Sequence, residues 1–385
     1  MKKLFKTTVF LILGIFFWGC IEENATEKNV ILSVNAETAI SAYLDKISTD
    51  IHIIELEFPD GIDLGRINHI KSYKEFILVF DRFQTRKITI FKNDGSFVGQ
   101  LNNIGRGPGE YLNLDAFALD CINERLIVYE RQNGLYFYSF PELNFIKFQP
   151  ENRYFQNIEI INNNFLLTVT EAFPRLNQSQ AIELMDLSFF TYKKVDLPAS
   201  LIQTELSYGN TFSSRDNGSL LYAFPGHFTN VYMIKDSDFE NLFSIDFGIN
   251  KIPEDEWESE NPEVFERAVI LSHTPRAFWV QNVLFNDEHA SFYFLFENPA
   301  NNYLAICSLK EQDCFTLSEL MLADNLPAIP APLGVMGDYY LSIIYPEEFR
   351  NYFSEELFGN NRDWLDQFYS MVKKDNPFIL KYKPF

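Results

Sequence analysis

The sequence predicts an all-β chain, a six-bladed β-propeller of four-stranded antiparallel blades, behind a short secretory leader. Three observations carry this expectation. Short runs rich in Phe, Ile, Val, Tyr and Leu recur throughout, broken by Asn, Asp and Gly turn signals, which is the pattern of many short antiparallel strands. The runs fall into groups of four that repeat about every 45–50 residues, the span of one propeller blade. About 365 residues follow the leader, more than one simple core usually holds, so a closed repeat suits the length.

Residues 1–19 read as a signal peptide. Lys2, Lys3 and Lys6 form its charged start, Val9 to Trp18 is an apolar run, and Gly19-Cys20 ends it. A membrane-spanning helix needs roughly 20 apolar residues, and this run is shorter. The small residue before Cys20 resembles the lipobox of bacterial lipoproteins, in which the cysteine thiol is lipidated and becomes the new N-terminus. The alternative is an ordinary signal peptide with an incidental Cys20. Glu22-Glu23 is similar to the acidic signals that send some lipoproteins to the cell surface. Residues 20–50 are then expected to be the lipidated N-terminus and its tether, and residues 51–385 the propeller.

Losing Lys2, Lys3 and Lys6 leaves 29 basic residues against 53 acidic ones, a formal net charge of −24. Such a field repels nucleic acid and anionic headgroups, so no nucleic-acid partner is expected and membrane attachment falls to the lipid anchor.

The first complete blade is clearest. Phe76–Asp81 and Lys87–Phe91 are strand-like, and Lys92-Asn93-Asp94-Gly95 supplies a turn before Ser96–Leu101. Groups of four follow from Ala116 to Phe148, Asn157 to Val195, Asn210 to Asp246 and Ala277 to Leu317, with Tyr339–Ile344 in a sixth. Ile51–Phe58 is a strand that could complete the last blade and lock the ring. Two stretches break the rhythm, and short helical insertions are expected near 254–271 and 347–372. Their aromatic stripes read as packing against the propeller rather than as partner-binding helices.

Beyond Cys20 stand Cys121, Cys307 and Cys314, an odd number. A two-residue turn at Lys310-Glu311 would set Cys307 opposite Cys314, where a cross-strand disulfide is feasible; two buried thiols are the other reading. Cys121 reads as a buried free thiol.

Ile104-Gly-Arg-Gly-Pro-Gly-Glu-Tyr111 is the most specific feature beyond the leader. It resembles the Gly-x-Gly-Pro-Gly-Glu-aromatic loop of the six-bladed β-propeller lipoproteins common in Bacteroidetes. Asp94-Gly95, Asp246–Pro253 and the ending Asp375–Tyr382 agree with that resemblance, which runs from about Ile53 to the C-terminus. It implies architecture and export and leaves activity unassigned. Read from its residues, the loop is either a tight blade-to-blade crossover or a ligand contact near the channel mouth, formed by Arg106, Gly107, Pro108, Gly109, Glu110 and Tyr111. Phosphate cradling is a poor reading, since no Lys-Ser/Thr follows and the next segment is strand-like rather than helical.

No catalytic residue is assigned. His52, His69, His227, His273 and His289 lack metal-ligand spacing, so neither a metal nor another cofactor is expected. There is no Gly-x-Ser-x-Gly, and carboxylates are too numerous for sequence to choose an acid pair. Trp257, Trp279 and Trp364 could stack on sugars, although most aromatic rings must fill the core. The expected function is a non-catalytic binding or scaffold module of the cell envelope, an outer-membrane lipoprotein holding a glycan, peptide or envelope protein. The alternative is a polysaccharide- or peptide-processing hydrolase or lyase with its site at the channel mouth.

Overall fold

A computed structural model of the chain describes residues 30–131, 133–161, 165–170, 181–196, 212–214, 220–223, 229–235, 238–253, 274–322, 326–352 and 363–385. Three N-terminal strands, β1 (Val30–Ser33), β2 (Ile40–Tyr43) and β3 (Asp50–Glu55), precede the repeating sheets. Blade I is β4 (His69–Tyr73), β5 (Phe76–Asp81), β6 (Lys87–Lys92) and β7 (Phe97–Leu101). Blade II is β8 (Ala116–Asp120), β9 (Arg125–Glu130), β10 (Gly134–Ser139) and β11 (Phe145–Pro150), and blade III is β12 (Phe155–Ile161), β13 (Phe165–Thr170), β14 (Ala181–Asp186) and β15 (Thr191–Asp196). Blade IV contains β16 (Phe212–Ser214), β17 (Leu220–Ala223), β18 (Asn230–Lys235) and β19 (Asp238–Asp246). Blade V contains β20 (Ala277–Phe285), β21 (His289–Phe296), β22 (Asn298–Ser308) and β23 (Cys314–Met321), and blade VI β24 (Gly334–Met336), β25 (Tyr339–Ile344) and β26 (Phe378–Lys383). The six sheets make a six-bladed propeller, with the first strand of each blade innermost.

β3 pairs antiparallel with β26, Ile54 opposite Ile379, so the N-terminal strand finishes the last blade and closes the ring. The tether expected over residues 20–50 is corrected from Val30 onward. β1 adds to β19 and β2 to β23, both in parallel, making blades IV and V five-stranded. The reason is physical: the outer edges of β19 and β23 offer unpaired backbone groups, and Leu32 and Ala42 are buried against these blades. The leader and Cys20 lie outside the described residues.

The Asp94-Gly95 turn shows why residue choice matters locally. Gly95 has φ +89° and a Cβ there would lie 1.8 Å from the Glu55 carbonyl oxygen, so both backbone angle and crowding require glycine. Asp94 Oδ1 accepts from the Ser96 backbone N–H at 2.9 Å and from its hydroxyl at 2.6 Å. Strands such as Phe76–Asp81 are buried on both faces because each blade is sandwiched between two neighbours.

Of the expected helical insertions, the one near 254–271 lies outside the described residues. In the other, α2 (Pro346–Phe349) leads into a 3-10 turn at Arg350–Tyr352, and α3 runs Asp363–Val372; α1 is the short Leu44–Ile47. Phe349, Leu365, Phe368 and Met371 are buried in the core between blades V and VI, which is the packing role the aromatic spacing suggested. Cys307 and Cys314 are register partners joined by a disulfide, their Cα atoms 4.0 Å apart. The turn between them is longer than two residues: the Ser308 N–H bonds Asp313 O, enclosing Leu309–Gln312. Cys121 is a half-buried free thiol whose pKa burial pushes up.

Candidate functional site

The Gly-rich loop connects β7 of blade I to β8 of blade II. It folds back on itself, the Tyr111 N–H bonding Asn103 O at 2.9 Å and the Gly105 N–H bonding Tyr111 O at 3.0 Å. The Glu110 carboxylate accepts from the Gly107 N–H at 2.7 Å, and a Cβ on Gly105 would collide with it at 2.0 Å. Glu110 therefore holds the loop from inside. Arg106 is exposed and forms no ion pair with the described residues.

Tyr111 is fully buried and donates to the Arg86 and Leu101 carbonyls, at 3.1 and 3.3 Å. Tyr138 on β10 donates to Gly109 O at 2.9 Å. Burial raises the pKa of both phenols, so they remain neutral donors. Glu130, buried at the end of β9, accepts from the Leu112 and Asn113 N–H groups at 3.0 and 3.1 Å and from the Tyr136 hydroxyl at 2.9 Å. The loop is thus a tight crossover wedged between blades.

It is also one wall of a cleft of about 660 Å³, within the usual size of a ligand site. The lining is also aromatic: the Phe148 ring lies 4.8 Å from that of Tyr136, and Phe145 packs on Gly109. Phe145 and Phe148 are 39% and 43% exposed, with the adjacent Ile146 at 50%. Arg106, Glu110 and Asn133 line the same cleft. Besides the loop, the cleft is lined from blade II by Glu130 of β9, Tyr136 of β10 and Phe145 and Phe148 of β11. The crossover and ligand-facing readings are compatible, because Gly107 and Tyr111 hold the loop while Arg106 and Pro108 remain exposed. β11 carried no sequence signal as a site; its exposed Phe-Ile-x-Phe on an outermost strand could have been noticed.

Along the inner wall, Lys71 of β4 and Glu159 of β12 form a buried ion pair at 2.5 Å. It links blades I and III past the inner strand of blade II. His69, against Phe117, has its pKa pushed down to about 3 by burial, with the Lys71 charge adding to the effect. Buried Glu151 and Glu183 share the guanidinium of Arg153, at 2.9 and 3.1 Å, which ties both carboxylates to one cation. Among the described residues, no group of three or more His, Cys, Asp or Glu could hold a metal ion. His227, His273 and Trp257 lie outside the described residues, Trp279 is buried, and Trp364 packs against the core.

Among solved structures, the fold is similar to a Bacteroides fragilis protein described as exported, at 15% identity and a TM-score of 0.71, covering 92% of this chain and 99% of that one. A weaker likeness is to a DUF4221 family member from Bacteroides vulgatus, at 12% identity and a TM-score of 0.42, covering 87% and 96%. No curated protein matches the sequence. A family described as a domain of unknown function, DUF4934, matches residues 28–383, and the chain belongs to that family.

Proposed function

We propose that the chain is an exported, non-catalytic binding or scaffold module of the cell envelope, and that the blade II cleft holds its partner. The observation that carries this reading is that exposed Phe145, Phe148 and Arg106 line one cleft of about 660 Å³. Exposed aromatic surface of this kind in a concave site marks recognition. Export is supported by the leader and by the exported relative of the same fold. Lipidation of Cys20 would hold the acidic domain at the outer membrane without a spanning helix; no helix among the described residues is long and apolar enough to cross one.

The test screens the soluble chain, from residue 21 onward, against glycans and peptides, following thermal shift and product formation together. A ligand that raises the melting temperature of the wild type but not of Phe148→Ala or Arg106→Ala is the expected result. Turnover abolished by one carboxylate substitution would overturn the non-catalytic reading. Anchoring is tested separately: Cys20→Ser should move the protein from the membrane fraction to the soluble one.

A further inference from the structure

Four outer strands share one irregularity. Where β7, β11, β15 and β19 pair with the strand inside them, each carries one extra residue, respectively Val98, Ile146, Tyr192 and Leu242. A bulge of this kind bends an edge strand and is often read as protection against pairing. Blade IV shows that it does not prevent pairing here. Immediately after Leu242, β19 accepts β1 in parallel, from Val30 opposite Phe243 to Ser33 opposite Asp246. The Val34 N–H then bonds Asp246 O at 2.8 Å.

Counting from the bulge, blade II repeats this geometry. Lys147, Phe148, Gln149 and Pro150 correspond to Phe243, Ser244, Ile245 and Asp246. The inward ladder matches as well: Ile245 N–H bonds Thr229 O at 2.8 Å, and Glu151 N–H bonds Asn133 O at 3.1 Å. These bonds make Phe148 opposite Tyr136 and Pro150 opposite Gly134 non-hydrogen-bonded pairs. In such pairs the backbone groups face away from the partner strand. The N–H and C=O of Phe148 and the C=O of Pro150 therefore point outward. Pro150 cannot donate, but its carbonyl stands where Asp246 receives Val34.

Four of the other edges differ, while β15 of blade III also ends its sheet; β11 is distinguished from β15 by the cleft that Phe145 and Phe148 line. Blades IV and V carry β1 and β2, α3 packs on β3 of blade VI, and blade I is covered where Gln100 donates to Asp63 O and Phe97 to Glu57. β11 ends its sheet, and five of its six residues are exposed.

We propose that β11 is a strand-addition site: an extended segment of a partner protein pairs with it in parallel, as β1 pairs with β19, and lodges alternate side chains in the adjacent cleft. This rests on the binding reading above and names the partner's form. Phe145 and Phe148 favour apolar or β-branched side chains in the segment. The acidic chain, with its formal net charge of −21, favours basic flanks.

The test selects displayed ten-residue peptides on the immobilised soluble chain and resynthesises the enriched ones. Apolar–basic peptides should emerge, lose at least tenfold in affinity when alternate backbone amides are N-methylated, and slow hydrogen exchange at the Phe148 amide. They should also bind Phe148→Pro at least tenfold more weakly, in protein whose melting transition shows it to be folded. Phe148→Ala, which keeps the amide, separates loss of side-chain packing from loss of the backbone bond. Peptides indifferent to N-methylation, or protecting another blade, would overturn strand addition. A glycan that binds in a Phe148→Ala-sensitive way while no peptide does would also overturn it, yet leave the binding module intact. Binding by neither class defeats both.

Discussion

Gly109 and Phe145 are packed so closely that a Cβ on Gly109 would lie 2.5 Å from the ring's Cγ, and Gly109 also has φ +76°. The Gly-rich loop and the exposed aromatic wall are therefore one unit, in which the loop's backbone sets where the ring stands. Gly109→Ala should destabilise the protein by about 1–3 kcal/mol through strain and overpacking, and should weaken any ligand of the cleft by displacing Phe145. Urea unfolding checks the first effect and titration of the folded fraction the second. Pro108→Ala, at an exposed position, should change stability by less than about 1 kcal/mol.

The Lys71–Glu159 pair, with both side chains only 8% exposed, bridges two blades that are not neighbours. Removing one partner leaves a buried charge uncompensated, so Lys71→Met or Glu159→Leu alone should cost about 3–5 kcal/mol. The double replacement should recover most of that loss. Denaturant unfolding of all four proteins gives the cycle, and additive losses would show that the two groups act independently.

Much of the blade order was legible because each blade contributes its own strands in sequence, punctuated by turns such as Asp94-Gly95. Closure by Ile51–Phe58 was legible for the same reason, as a strand left over with a blade short of one. The strands β1 and β2 were not: four-residue segments such as Val30–Ser33 carry too little period to distinguish from a tether, and only the edges of β19 and β23 make strands of them. The Gly-rich loop stood out by composition, but its place between outer strands depends on Tyr138 and Phe145, far along the chain.

His69 gives the protein an acid sensitivity with a definite sign. Its folded-state pKa is about 3, while an unfolded chain binds the proton near the ordinary histidine value of 6.5. The unfolded state thus takes up the proton first, so the stability due to neutral His69 is present above about pH 6.5 and is lost as pH falls toward 3. The slope is at most about 1.4 kcal/mol per pH unit, and less because part of the ring keeps solvent contact. His69→Gln should unfold with a shallower pH dependence between pH 7 and 5. Equal slopes for the two proteins would remove His69 from the account.

Leu32 tests whether the N-terminal segment belongs to the folded domain. A tether would tolerate any polar substitution there, because an unpacked residue contributes nothing to the native state. In the propeller Leu32 is fully buried, among Phe243, Ile245 and blade V residues, whereas its neighbour Ile31 is 49% exposed. Leu32→Ala should therefore cost about 2–5 kcal/mol, the usual range for a buried leucine, and Ile31→Ala, whose side chain points outward, well under half of that. Deleting residues 21–49 should do more than lower stability. It strips the outer edges of β19 and β23, and an uncovered edge pairs readily with another molecule, so concentration-dependent association is expected in light scattering. A truncated protein that stays monomeric, with an unchanged unfolding midpoint, would return these residues to the role of a tether.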